Sequence, residues 1–314
     1  MSTAETRRTR LRALAKINLD LRVLGPRPDG YHEIRTIFQT ISLADTIDVK
    51  FTRARRTEIR IAGADHIEDN LVVRAAAAVL DAMKIAARIE FQLQKRIPMG
   101  AGLGGGSSDA AAVLLSLPVL AGRRIELPRL IELAATLGSD VPFFMQGGAA
   151  VALGRGTEFY PLPDYPARRG LLIAPAVHVS TAAAYRDLKP QLTSESQQNK
   201  IVSFQMRAWG GLGDRPASND FETVVFEQFP QLAALKKRLG KLGANPAMMT
   251  GSGSALFGLF RTREELNRAR NSFAGERVYP ISLVSRARYR SLWWRMLGPY
   301  IEDKIWPPLS RSGR

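Results

Sequence analysis

Between residues 98 and 109 the chain reads PMGAGLGGGSSD, with five glycines in seven consecutive positions. Such a run lets the backbone turn sharply and bring its N–H groups close to an anion. The serines and the apolar sequence AAAVLL after it predict a helix over residues 108–117, whose positive N-terminal end would attract phosphate. A mobile glycine linker is the alternative, but a linker would not be followed directly by a helix. The segment therefore predicts a phosphate-binding loop at the start of a helix.

Two other nucleotide-binding loops share part of this pattern. Gly100, Gly102 and Gly105 satisfy the dinucleotide fingerprint, but the predicted helix is short and ends at Pro118. The acidic residue of that fingerprint would be Glu126, which lies in a Leu-Pro turn and not at the end of a second parallel strand. The P-loop pattern fails because no Gly-Lys-Ser or Gly-Lys-Thr follows the glycines, and the HRD and DFG motifs of protein kinases are absent.

The hydrophobic pattern elsewhere mixes strands and helices without strict alternation. Residues 15–24 alternate apolar and polar side chains as a half-buried strand does, residues 191–214 are polar enough for a loop, and Asn70 is expected to cap an alanine-rich helix. This mixture favours the α+β class over a doubly wound parallel sheet. The predicted strands are 15–24, 37–51, 89–93, 149–153, 170–173 and 255–260, and the predicted helices are 71–83, 108–117, 128–137, 220–228, 231–239 and 262–272.

The 314 residues carry a formal charge of +16, which is open to two interpretations. A basic surface is typical of nucleic-acid-binding proteins, but it also attracts anionic small substrates. The charge is scattered and no zinc-finger spacing or RNA-recognition motif is present, so we expect no nucleic-acid partner. The chain has no cysteine, no apolar signal core and no apolar stretch near the roughly 20 residues of a spanning helix, so we expect a cytoplasmic protein without a membrane span. No pattern indicates the oligomeric state.

Five motifs, in the order in which they occur along the chain, resemble those of the GHMP kinase superfamily. The superfamily is named for its galactose, homoserine, mevalonate and phosphomevalonate kinases. The central one is the glycine loop, whose triple glycine narrows the resemblance to the member that phosphorylates a cytidine-diphosphate-linked methylerythritol. The other four are AKINL at 15–19, DGYH at 29–32, SDVP at 139–142 and GSGS at 251–254. They extend from residue 15 to about residue 260, and as a set they are highly specific.

The resemblance implies an ATP-dependent kinase with Mg²⁺ and with two domains. Residues 1–160 would form a ribosomal-protein-S5-like ATP domain, and residues 161–284 a C-terminal α/β-sandwich domain. ATP would transfer its γ-phosphoryl group to the 2-hydroxyl of a small-molecule substrate that carries a cytidine diphosphate group, in the non-mevalonate isoprenoid pathway. The rivals are a mevalonate- or homoserine-type kinase, which would lack the DGYH element, and a basic nucleic-acid-binding module.

The residue types at the matched positions suit this chemistry. Lys16 and Asn18 are two apart on a strand and so share one face, where a lysine could offset charge on a phosphoryl group. The family's catalytic aspartate falls on Asp140, which follows a helix stop and precedes a Val-Pro pair that fixes the backbone. A surface lysine and a capping aspartate are the alternatives for each residue taken alone. The joint match favours Asp140 as general base and Lys16 as its charged partner.

The resemblance also assigns binding residues around this pair. The substrate would contact Asn18, Gly251, Ser252 and Gly253, with its cytosine held by His32 and stacked by Tyr31, Phe38 or Tyr185. Ser108 is the predicted magnesium ligand. The predicted ATP-binding residues are Asn70, Lys95, Pro98, Met99, Gly100, Ala101, Gly102, Leu103, Gly104, Gly105, Gly106, Ser107 and Ser108.

A basic extension at residues 285–314 lies beyond the resemblance. It has seven basic and two acidic residues and three of the chain's four tryptophans, Trp293, Trp294 and Trp306. A contact with a membrane surface or a partner is one interpretation. We expect instead that the extension packs against its own enzyme, because large aromatic side chains most often bury within their own fold.

Overall fold

The computed structural model describes residues 5–64, 67–188, 204–205 and 217–310. Two β-sheets with helices packed on them confirm the α+β prediction. The loop predicted at 191–214 lies outside the described residues, except for residues 204–205. The domain boundaries at 160 and 284 stay predictions.

The first sheet has six strands and is built around one long strand, β2. One edge of β2 pairs with β1 along its whole length, and the other edge is shared by β4 and β5. Strand β3 then pairs parallel with β4, and β6 antiparallel with β5. The strands are β1 (Thr6–Pro26), β2 (His32–Arg53), β3 (Glu58–Ala62), β4 (Ala87–Gln94), β5 (Ala149–Leu153) and β6 (Glu158–Pro161).

Register shifts in β1 decide which side chains enter the site. One shift lies between Leu14 and Lys16, and a second between Asn18 and Asp20. A bulge moves the following side chains to the opposite face, because side chains alternate along a strand. Leu11 and Ala13 accordingly belong to one hydrophobic core, whereas Ala15, Ile17 and Leu19 belong to the next.

The second sheet has four antiparallel strands in the order β10-β7-β9-β8. A hydrophobic core between the two sheets joins Ile17 and Leu19 of β1 to Phe257 of β9. The strands are β7 (Arg169–Ile173), β8 (Ala247–Met249), β9 (Leu256–Phe260) and β10 (Val278–Ser282).

The helices cover the outer faces of both sheets. The first four and the last pack into the core of the first sheet, and the others into the core of the second sheet. No helix of the described residues combines the length and hydropathy needed to cross a membrane. The helices are α1 (Leu71–Met83), α2 (Gly105–Leu120), α3 (Leu127–Leu137), α4 (Val141–Phe144), α5 (Thr181–Asp187), α6 (Phe221–Gln228), α7 (Pro230–Lys241), α8 (Arg263–Ser272) and α9 (Arg286–Met296).

The predicted bounds of α2 were wrong at both ends. The helix begins at Gly105, three residues before the predicted start, and continues past Pro118 to Leu120. Every residue from Ser108 to Leu120 is buried. Packing of this continuous apolar segment therefore outweighs the hydrogen bond that proline removes in the last turn.

Candidate functional site

A cavity of about 760 Å³, here called the Asp140 pocket, lies between the two sheets. Its walls come from β1, β2, the glycine loop, α5 and the segment after β8. Residues predicted from all five motifs therefore meet in one place. They are Lys16, Asn18, Tyr31, His32, Phe38, Gly102, Gly104, Asp140, Tyr185, Gly251 and Ser252.

Lys16 and Asp140 form an ion pair at the floor of this pocket. The Lys16 Nζ lies 3.4 Å from Asp140 Oδ2, and the side-chain exposures are 5% for Lys16 and 30% for Asp140. The Lys16 backbone N–H donates to the Leu103 carbonyl at 3.0 Å, which ties β1 to the glycine loop. The ammonium is therefore fixed, and the carboxylate is the member of the pair that a ligand in the pocket can reach.

Asn18 holds this pair in position. Its Oδ1 accepts hydrogen bonds from Lys16 Nζ at 3.0 Å, Thr250 Oγ1 at 3.1 Å and the Gly251 N–H at 2.9 Å. Its Nδ2 donates to Thr36 Oγ1 at 2.7 Å. With its oxygen used by three protein donors, Asn18 links β1 to the second glycine loop. Sequence analysis missed Thr250, although it directly precedes the GSGS motif.

Aromatic rings form one wall of the Asp140 pocket. His32 stacks on Tyr185, with ring centroids 5.0 Å apart and an interplanar angle of 30°. Burial, and secondly the charge of Asp140, raises the pKa of Tyr185 to about 12, so its phenol stays a hydrogen-bond donor at neutral pH. Tyr31 is 55% exposed, and the Arg155 guanidinium lies 4.3 Å from the centre of its ring. Sequence analysis also missed Arg155, because nothing in its own neighbourhood marks it as part of this wall.

Two predicted substrate contacts are placed differently. Phe38 is buried beneath Lys16, whose Nζ lies 4.6 Å from the ring centre, and it packs on Phe143 at 5.2 Å. It therefore forms the floor and offers no free face for a stacked base. Gly253 does not line the pocket, and a Cβ added at this position would lie 2.8 Å from the Met249 sulfur.

A second cavity of about 430 Å³, the Asn70 pocket, lies on the other side of the glycine loop. Gly102 and Gly104 line both cavities, so the loop separates them by the thickness of one backbone. Gly104 precedes α2 in a left-handed conformation and has no side chain to cap the helix. The first N–H groups of α2 therefore stay available for an anion. The predicted residues that line this pocket are Asn70, Lys95, Pro98, Met99, Gly100, Ala101, Gly102, Leu103, Gly104, Gly105, Gly106 and Ser107.

Asn70 caps α1 as predicted, because its Oδ1 accepts the Val72 N–H at 3.0 Å. Its buried Nδ2 has no hydrogen-bond partner among the described residues. A buried donor without a partner is costly, so it suits a ligand that would occupy the pocket.

Ser108, the predicted magnesium ligand, does not line the Asn70 pocket. Its hydroxyl is buried and donates to the Leu14 carbonyl at 2.7 Å, inside the core and away from the Asn70 pocket. The earlier start of α2 turns Ser108 inward and leaves Ser107 at the pocket. The described residues contain no group of three or more aspartates, glutamates or histidines able to hold a metal ion.

Lys95 lines the Asn70 pocket, but its ammonium is held by two carboxylates. It forms ion pairs with Asp45 and with Asp109, the latter at 2.7 Å. Asp45 also accepts the Ile97 N–H at 2.8 Å, which anchors the base of the glycine loop. The predicted contact of Lys95 with the nucleotide therefore competes with a buried ion-pair cluster.

Asp109 is the member of this cluster whose charged form is disfavoured. Its Oδ1 is buried without a partner among the described residues, and burial raises the pKa of Asp109 to about 7 despite the nearby Lys95. Between about pH 4 and pH 7 the folded protein therefore holds on Asp109 a proton that the unfolded chain would lose near pH 4.

Asp109→Asn should reduce the loss of folding stability that occurs as the pH rises from about 4 to about 7. A raised carboxyl pKa stabilises the fold fully below the unfolded pKa, and this contribution is lost as pH rises through the folded pKa. The amide cannot ionise and so removes that dependence. Urea unfolding at pH 4.5 and pH 7.5 measures it, and the same pH dependence in wild type and variant would contradict the pKa of Asp109.

Models of two domain families match two separate parts of the chain. The model of the GHMP kinases N terminal domain matches residues 70–148, and that of the GHMP kinases C terminal domain matches residues 202–279. A 4-diphosphocytidyl-2-C-methyl-D-erythritol kinase of Solibacter usitatus is 60% identical over 315 residues, covering 99% of both chains. The kinase of this name from Pelotomaculum thermopropionicum is 41% identical over 251 residues, or 79% of this chain and 87% of the relative.

Solved structures agree with these relatives. A crystal structure of 4-(cytidine 5'-diphospho)-2C-methyl-D-erythritol kinase superposes with a TM-score of 0.74 at 36% identity, covering 87% of this chain and 98% of that one. A homoserine kinase from Cytophaga hutchinsonii superposes with a TM-score of 0.68 at 20% identity, covering 89% of this chain and 95% of that one. The second likeness concerns the fold alone.

Proposed function

The chain belongs to the GHMP kinase family, and we propose that it transfers the γ-phosphoryl group of ATP to the 2-hydroxyl of 4-diphosphocytidyl-2-C-methyl-D-erythritol. This is a step of the non-mevalonate isoprenoid pathway. The relatives named above support the substrate, and its cytidine diphosphate group fits a pocket with aromatic and cationic walls. We further propose a cytoplasmic location, where ATP is regenerated.

One observation carries this proposal: a single glycine loop separates two cavities, with Lys16 and Asp140 on one side. ATP in the Asn70 pocket would place its phosphates along the loop and at the N-terminus of α2. Gly102 and Gly104 have no side chain between the two pockets, so the γ-phosphate can face the ion pair directly. Transfer across so thin a partition depends on positioning and charge stabilisation together with removal of the hydroxyl proton.

Asp140 is the proposed general base. Its carboxylate would take the proton of the 2-hydroxyl while the hydroxyl oxygen attacks the γ-phosphorus and the bond to the β,γ-bridging oxygen breaks, releasing ADP. The Lys16 ammonium, 3.4 Å from Asp140, would stabilise negative charge on the transferring group and keep the carboxylate turned to the hydroxyl. Asn18 would fix that ammonium through its 3.0 Å hydrogen bond.

ATP would bind through Asn70, the glycine loop and Ser107. The unpaired Nδ2 of Asn70 supports a contact with the nucleoside, and the free N–H groups of α2 support contacts with the phosphates. Magnesium would arrive on the ATP phosphates and neutralise part of their charge. The described residues contain no cluster of carboxylates that could hold a metal ion by itself. Magnesium bound through the ATP phosphates therefore fits these residues better than magnesium bound by protein carboxylates.

The cytidine diphosphate group would lie along the aromatic wall. His32 would hydrogen-bond the cytosine edge, while Tyr185 and the exposed ring of Tyr31 offer stacking faces. Arg155 and Arg186 line the same pocket and carry charge that suits a diphosphate.

A coupled assay of ADP release tests the function. Purified protein is given ATP with the cytidine-diphosphate substrate, with mevalonate or with homoserine. We expect turnover with the first alone. Equal or faster turnover with either of the others would make the chain a kinase of that type instead.

His32→Ala should raise the KM for the cytidine-diphosphate substrate by about 5- to 150-fold and leave the KM for ATP nearly unchanged. Removal of one partner leaves a base-edge group unpaired, at about 1 to 3 kcal/mol, and each 1.4 kcal/mol is about tenfold. Steady-state kinetics with each substrate varied in turn measures the effect. If His32 serves only to pack on Tyr185, the melting temperature should fall and both KM values should rise together.

A further inference from the structure

The C-terminal extension folds back on the first sheet instead of leaving the enzyme. Tyr289 and Trp293 of α9 are fully buried in the core that contains α1 to α4, which confirms that the extension packs on its own chain. It begins beyond residue 279, where the match to the second family domain ends.

Its side chains supply hydrogen bonds at the C-terminal end of α4. The Tyr289 hydroxyl donates to the Phe144 carbonyl at 2.6 Å, and the Trp306 Nε1 donates to the Met145 carbonyl at 3.0 Å. The last carbonyls of a helix have no partner within the helix. An isolated helix of four residues has almost no stability of its own, so these outside partners matter more here than in a long helix.

Two glycines shortly after α4 allow side chains of the extension to pack against the backbone. A Cβ added at Gly147 would lie 2.4 Å from the Tyr289 ring, and one at Gly148 would lie 2.7 Å from the Arg286 Cβ. Both glycines have positive φ, 62° and 76°. The backbone therefore contacts the extension directly at these two positions.

The other end of α4 carries Asp140, which occupies its N-cap position. The carbonyls that the extension caps thus belong to the fourth and fifth residues after the proposed base. We propose that Tyr289 and Trp306 are positioning residues that hold α4, and through it Asp140, at the distance from Lys16 that phosphoryl transfer requires. This inference rests on the proposed function.

Tyr289→Phe and Trp306→Phe each remove one of these donors while keeping an aromatic ring. Each should lower kcat by about tenfold, because a displacement of about 1 Å can cost up to about 10²-fold. Both KM values should stay within about twofold of wild type, since neither residue lines the Asp140 or Asn70 pocket. Trp294→Phe is the matched control, because the buried Nε1 of Trp294 has no acceptor among the described residues.

Hydrogen exchange adds a measurement that does not depend on turnover. Amides of the peptide covering residues 139–148 should exchange faster in the Tyr289 and Trp306 variants and at the wild-type rate in the Trp294 variant. The inference is overturned by unchanged exchange, by unchanged kcat, or by equal losses in the control. It is also overturned if kcat falls only together with a rise of both KM values, which would indicate a general structural role. A wild-type enzyme inactive on the cytidine-diphosphate substrate would refute the proposed function, while exchange would still test the support of α4.

Discussion

Asp140→Asn is expected to lower kcat by about 10² to 10⁴, the range typical of general acid–base catalysis. Asparagine keeps the shape of the side chain but cannot accept the proton of the substrate hydroxyl. Lys16 retains its 3.0 Å hydrogen bond to Asn18, so the ammonium should stay in place. ATP affinity should therefore be nearly unchanged, because Asp140 lies outside the Asn70 pocket. Single-turnover kinetics and calorimetry with ATP measure the two quantities separately.

Asp81→Asn is a suitable control for this variant, because Asp81 is exposed on α1 and lies outside both pockets. It makes the same change of charge at a position without a proposed role, and its kcat should equal that of wild type. Turnover of a folded Asp140→Asn enzyme within a few-fold of wild type would exclude Asp140 as the base and leave it only the ion-pair partner of Lys16.

Local signals in the sequence predicted the parts of the fold that depend on neighbouring residues. Asn70 before an alanine-rich run gave the start of α1, and its side-chain hydrogen bond to Val72 is the expected cap. Thr262 and Glu265 form the capping box of α8, so the start of that helix can also be predicted from neighbouring residues. The glycine loop is another local signal, and the structure places it between two cavities.

Features that depend on distant residues could not be read from the sequence. Strand β1 begins nine residues before the predicted start at residue 15, because its charged outer side chains pair across strands, as Arg10 does with Asp48 at 2.6 Å. The bulge at Leu14 that turns Lys16 toward Asp140 exists only in the register with β2. Asp45, one of the two partners of Lys95, and Leu14, the partner of Ser108, are likewise 50 and 94 residues away. Residue type alone does not reveal these partners, so the sequence predicted that Lys95 and Ser108 would contact a ligand.

Gly102→Ala is expected to lower kcat/KM by about 10²-fold or more, the cost of a displacement of about 1 Å in a catalytic site. The added Cβ would lie 2.3 Å from the Thr250 carbonyl oxygen and 3.3 Å from the Gly251 Cα. One of the two glycine loops must therefore move. Thr250 and Gly251 both donate hydrogen bonds to Asn18, so this movement should reach Lys16.

Gly100→Ala separates this steric effect from backbone strain. Both glycines have left-handed backbone angles, with φ of 65° at Gly100 and 75° at Gly102, so alanine should cost each about 1 to 2 kcal/mol of conformational energy. At Gly100, however, the nearest atom to an added Cβ is in the His178 ring at 3.6 Å, an ordinary contact. Gly102→Ala should therefore lose more stability than Gly100→Ala in thermal unfolding, and it alone should lose most of its activity. Equal losses of activity would mean that the loop needs glycine for its backbone angles, and that the close approach of the two loops has no part in phosphoryl transfer.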